Sequence, residues 1–132
     1  MKMFSVVLDT NVLVSALWSK DGTLAKILHL IPDKKIIPCF CDEILNEYVI
    51  VLSRPNFHFI HNQIDALLDN IMKFGKAVVT DKSSIPLLDE SDRVFYDTAR
   101  VSGAILITGN MKHYPVEPFI MRPAEFSRKM DI

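Results

Sequence analysis

Short apolar runs that alternate with helical patterns constrain this chain most. Phe4–Leu8, Lys35–Cys39, Ala77–Thr80, Ala104–Thr108 and Phe119–Met121 are rich in Val, Ile or Phe. That is the composition of strands buried on both faces of a sheet. The segments between them carry helical spacing. Val12, Leu13, Ala16 and Leu17 share one face, and Leu24, Ile27, Leu28 and Ile31 share another. The pattern predicts helices over Val12–Trp18, Thr23–Leu30, Asp42–Leu52, Gln63–Phe74 and Asp89–Ser102, with a small helix or turn at Phe57–His61. Gly103 is placed to end the fifth helix in a left-handed conformation, and Pro123 opens a last one at its first turn. Strand and helix in alternation give an α/β fold with a mainly parallel five-stranded sheet and helices on both faces. The long spacing between the second and third runs calls for a helical pair as the crossover.

The chain has 132 residues, 49% of them hydrophobic, enough for a real core and suited to a single domain over 1–132. No linker, repeat or low-complexity stretch interrupts it. The net charge of −1 gives no global basic signature, so contact with nucleic acid would rest on a local patch or on a metal. The start of the chain is strand-like rather than a signal peptide, and no apolar stretch reaches the ~20 residues of a bilayer span. A cytoplasmic location is expected. Cys39 and Cys41 are expected to be ordinary thiols, because neighbours at that spacing on an extended segment point to opposite faces.

Asp9-Thr10-Asn11 follows the first apolar run and precedes the first helical pattern. A carboxylate therefore sits at the carboxyl end of a strand, the edge where open parallel sheets bind ligands. Capping the next helix is a plainer role open to Asp9, but it leaves the other acids unexplained. Glu43 lies in the first turn of its helix, where it suits the dipole. Glu47 lies mid-helix, on the same face as Glu43; a solvated face would account for either alone. Asp89 is placed as a helix cap, and Asp92 is placed to point from that first turn toward the strand tips. Asp97 is expected to face solvent. Thr108-Gly109-Asn110 makes a turn at the end of the fourth run, where Thr108 and Asn110 can offer oxygens to the crevice of Asp9. Carboxylates gathered on one site repel each other, and a hard cation with oxygen ligands, Mg²⁺ or Mn²⁺, explains such a gathering best.

In this order the residues Leu8-Asp9-Thr10-Asn11-Val12-Leu13, Glu47-Tyr48, Leu52-Ser53-Arg54-Pro55, Asp89 and Asp92 with Ala99, and Leu106-Ile107-Thr108-Gly109-Asn110 resemble the PIN domain family. The resemblance runs from Val6 to Phe126 and is greatest to the branch of toxin components of bacterial toxin–antitoxin pairs. It implies a three-layer α/β/α sandwich and a metal-dependent ribonuclease, with RNA as substrate, Mg²⁺ or Mn²⁺ as cofactor, a cognate antitoxin as partner, and homodimers in many members. Residue by residue, it implies Asp9, Glu47 and Asp92 as the catalytic and metal-binding acids. Asn110 stands where the family's fourth acid is usually an Asp, and Asn11 and Thr108 are the supporting polar residues. Near that site Lys112, His113, Arg54 and Arg93 could contact RNA. Other acid-pocket classes fit less well. Haloacid-dehalogenase-type phosphatases need an Asp where Asn11 stands, receiver domains need a different order of groups, and no glycine pattern suits a dinucleotide. Alternatives are a PIN-like binding module with weakened activity, which Asn110 favours, and a metal-dependent phosphatase-type hydrolase.

Overall fold

The computed structural model describes residues 3–132. All four strand pairings are parallel. The strands are β1 (Phe4–Leu8), β2 (Ile36–Phe40), β3 (Lys76–Ala77), β4 (Ile105–Ile107) and β5 (Ile120–Met121), in the spatial order β3-β2-β1-β4-β5. Among the described residues six α-helices connect and follow them: α1 (Thr10–Trp18), α2 (Thr23–His29), α3 (Asp42–Leu52), α4 (His61–Phe74), α5 (Arg93–Ser102) and α6 (Pro123–Met130). The α3–α4 pair is the expected long crossover.

The sheet grows from β1 toward β2 and β3 on one side and toward β4 and β5 on the other. Parallel crossovers are right-handed, so growth in opposite directions puts the connecting helices on opposite faces. The same reversal opens a crevice between the carboxyl ends of β1 and β4. Register fixes that edge, with Val6 opposite Ile105 and Leu8 opposite Ile107. Asp9 and Thr108, each one residue beyond its strand, are therefore neighbours by construction. The core beneath them is aromatic and aliphatic, with Tyr48, Phe95, Tyr96 and Phe126 buried among Val, Leu and Ile.

Two glycines serve the backbone. Gly103 takes φ 66° at the end of α5, as its position predicts. Gly75 follows α4 where the chain passes close to β2. A Cβ there would lie 2.2 Å from the Ile71 carbonyl oxygen and 2.3 Å from that of Pro38, so only glycine fits.

The structure corrects four expectations. The third strand is shorter than Ala77–Thr80, and its continuation to Leu88 forms no ladder. The fifth helix begins as a 3₁₀ turn over Glu90–Asp92, capped by Asp89 through the Ser91 amide, and becomes α-helical at Arg93. Asp97 does not face solvent; it is 2% exposed and accepts the Ser83 backbone N–H at 3.0 Å. Arg93 is likewise no RNA contact. It is buried, donates to the carbonyls of Ser83 and Ile85, and forks onto Glu90 with two bonds of 2.7 Å. Arg100, one turn past Asp97, reaches the carboxylate and carbonyl of Asp81. Arg93, Asp97 and Arg100 recur at i, i+4 and i+7 on α5. Together they hold the 81–85 backbone that the sheet leaves unpaired.

Side chains rather than strand pairing therefore hold the segment from residue 81 to 85. Arg93→Ala should leave the sheet intact and speed amide exchange about tenfold or more between residues 82 and 88. Hydrogen exchange followed by mass spectrometry checks it; unchanged protection there would mean the clamp holds nothing.

Candidate active site

Asp9 occupies the N-cap position of α1, yet its side chain makes no capping bond. It turns instead into the crevice. Its Oδ2 accepts the Thr108 hydroxyl at 2.8 Å and the Tyr114 phenol at 2.9 Å. The carboxylate is only 5% exposed, so these donors offset part of its lost hydration. The Thr108 hydroxyl oxygen accepts the backbone N–H of Asn110 at 3.0 Å, which commits its own proton to Asp9. Asn11 closes the same turn from the other side, its Oδ1 accepting the Gly109 N–H at 3.0 Å.

Asp92 enters from the 3₁₀ turn before α5. Its Oδ2 lies 3.0 Å from His113 Nδ1. Burial, and then the charge of Asp9, push its carboxyl up to about 6, against the pull of His113. The two acids therefore feel each other across a partly dry crevice. His113 and Tyr114 are consecutive, so one short segment holds both. The 3₁₀ turn Met111–His113 aims the two side chains at their separate carboxylates.

Burial and the charge of Asp9 also raise Tyr114 well above the usual phenol range, which keeps it a neutral donor. Tyr48 is buried and donates to the Leu8 carbonyl. It thereby pins α3 to the carboxyl end of β1, one residue away from Glu47.

Glu47 is half-buried and lines a cavity of about 420 Å³ with Glu43, Asp97, Ser91 and Lys82. Among the described residues no three His, Cys, Asp or Glu side chains are gathered closely enough to hold a metal ion. The expected trio is thus a pair, Asp9 and Asp92, with Glu47 in the adjoining cavity; repulsion between carboxylates favours that separation. Asn110 is exposed, and its side chain makes no hydrogen bond among the described residues. Lys112 is exposed on the same turn, and Arg54 is exposed beyond the end of α3. Sequence reading had no role for Tyr114 or for Tyr48. A tyrosine five residues past the Thr-Gly turn carries no spacing signal, because it reaches Asp9 across 105 positions of chain.

A family model described as PIN domain matches residues 5–112. The chain belongs to the PIN domain family. It is 32% identical over 108 residues to uncharacterized protein MJ1680 of Methanocaldococcus jannaschii, covering 80% of this chain and 70% of that one. Its fold is similar to that in the crystal structure of VapBC2 from Rickettsia felis bound to a DNA fragment from their promoter. The TM-score is 0.57 at 18% identity, covering 90% of this PIN domain and 97% of the other chain. No helix among the described residues is long and apolar enough to cross a membrane.

The donor set of this PIN domain suits a hard cation. Asp9 and Asp92 each have one oxygen, Oδ1, that receives no hydrogen bond among the described residues. Neither is a sealed, unpartnered atom, since among the described residues only Thr10 Oγ1 and Asp97 Oδ1 are of that kind. Each acid thus keeps one oxygen without a hydrogen bond while its other oxygen is held.

The raised Asp92 carboxyl makes stability depend on pH. Its folded value lies above its unfolded one, so the folded chain binds the extra proton between about pH 4 and about pH 6. Metal-free stability should therefore fall as pH rises through that window. Asp92→Asn should flatten the slope and raise Tm above pH 6 by about 3–5 °C, with no gain below pH 4. Thermal melts of both proteins across pH check this; parallel curves would refute the strain.

Proposed function

We propose that this PIN domain is a Mg²⁺- or Mn²⁺-dependent ribonuclease that hydrolyses RNA phosphodiester bonds, acting as the toxin of a pair held in check by a cognate antitoxin. The observation that supports it best is the paired carboxylates of Asp9 and Asp92 at the topological switch point, each with one oxygen held and one free. PIN domains are generally nucleases, and that family character supports the nuclease assignment. The likeness to a VapBC2 structure supports the fold alone; the toxin role and the antitoxin belong to our reading. A cytoplasmic site of action follows from an RNA substrate.

In this reading Asp9 and Asp92 would hold the cation, partly through water. Glu47, from the adjoining cavity, would be the third acid, and Asn110 would add a neutral oxygen. What the ion supplies when bound is Lewis acidity: water acidic enough to attack at neutral pH, and relief of the charge that develops on the phosphate. The chain's own groups do the rest. Thr108, Tyr114 and His113 fix the two acids before substrate arrives, and Asn11 holds the Gly109 turn against α1. Lys112 and Arg54 offer exposed cations to the RNA backbone, while His113 serves Asp92.

The test is cleavage of labelled single-stranded RNA with Mn²⁺. Asp9→Asn and Asp92→Asn should each lower the rate by about a thousandfold or more, a loss of roughly 4 kcal/mol in the barrier. Glu47→Gln should do the same while Glu43→Gln leaves the rate within about threefold of wild type. Folded wild-type protein that binds RNA without cutting it would favour the binding module. Equal damage from Glu43→Gln would reassign the third acid. Because a proton on Asp92 competes with the cation, cleavage at limiting Mn²⁺ should fall as pH is lowered.

A further inference from the structure

An ionised carboxylate oxygen has two lone-pair sites. On Asp9 Oδ2 both are filled, one by Thr108 and one by Tyr114. Neither donor is free to let go. The Thr108 oxygen is itself anchored by the Asn110 amide, and Tyr114 is buried at the end of the turn that also holds Asp92 through His113. Asp9 is left with a single oxygen, Oδ1, to offer.

We infer that Tyr114, with Thr108, is a specificity-determining residue that makes Asp9 a one-oxygen ligand and so selects a small six-coordinate cation over Ca²⁺. The inference rests on the metal-dependent reading above. Ca²⁺ takes six to eight oxygens and commonly draws both oxygens of one carboxylate, whereas Mg²⁺ and cations like it take one oxygen each in an octahedral shell. Blocking Oδ2 removes the two-oxygen mode without touching the one-oxygen mode. Tyr114 therefore acts through Asp9 and touches neither ion nor substrate; it is a positioning residue. A phenylalanine there would fill the same space and reopen one lone pair.

The experiment is calorimetric titration of the intact chain with Mn²⁺ and, separately, with Ca²⁺, well above the titration of Asp92 and without RNA. Wild type should prefer Mn²⁺ clearly. Tyr114→Phe should bind Mn²⁺ about tenfold more weakly, the usual loss when a partner of a metal ligand is removed, while Ca²⁺ affinity holds or rises. The Mn²⁺/Ca²⁺ ratio should therefore fall by about tenfold or more. Thr108→Val should move the ratio the same way and Thr108→Ser, which keeps the hydroxyl, should not. That pair carries the test if Tyr114→Phe does not fold, which a melt without metal shows. Equal losses for both cations would reduce Tyr114 to a structural role and overturn the inference, as would an unchanged ratio. A wild type that prefers Mn²⁺ in either case keeps the metal-dependent reading. A folded wild type that binds neither cation overturns that reading and this inference together.

Discussion

The hydrogen bond from Thr108 to Asp9 joins residues 99 positions apart, and the rest of the site depends on it. It exists because β1 and β4 are hydrogen-bonded neighbours whose last residues, Leu8 and Ile107, stand opposite each other. Each strand then delivers one polar residue past the edge of the sheet. The core fixes the strands, the strands fix the two side chains, and the pair marks where the sheet changes direction. A charged group with 5% exposure is tolerable there because its donors arrive with the fold.

The second level of order comes from the chain just after β4. From Thr108 to Tyr114 it supplies a hydroxyl, an imidazole and a phenol to two carboxylates that belong to distant parts of the sequence. The arrangement is asymmetric. Asp9 is served by two neutral donors, while Asp92 has the imidazole alone and carries a raised carboxyl. Folding thus leaves the crevice with unrelieved negative character, which suits a cation more than an anionic substrate.

Much of this was legible in the sequence, and for physical reasons. Buried parallel strands must be short and apolar, so Phe4–Leu8 and the run before Thr108 announced themselves, and the acid and the polar turn at their ends followed. α3 and the C′ glycine Gly103 follow equally local rules. The misses share one cause. Asp97 and Arg93 look like solvated helix residues because a sequence shows no partner for them, yet the unpaired 81–85 backbone provides it. Val78–Thr80 reads as strand from its residues, but the ladder ends at Ala77, with one further bond from the Val78 N–H to the Phe40 carbonyl. Tyr114 reads as an ordinary aromatic until β1 and β4 lie side by side. Glu47 drew its expected role from the family resemblance, since spacing alone allowed a solvated face; the structure places it in the adjoining cavity, a side-chain position that spacing does not determine.

The two walls around the acids differ in stiffness. The crevice at Asp9 is bounded by laddered strands, whose spacing cannot change without breaking the sheet. The cavity at Glu47 is bounded on its far side by Thr80, Asp81 and Lys82, on a segment fastened by guanidinium and carboxylate groups rather than by a ladder. Exchange of these few charged residues, Arg93 and Asp97 buried among them, can therefore reshape the Glu47 side while the Asp9 side keeps its geometry. Such a scaffold can diversify what it admits without rebuilding the centre that meets it.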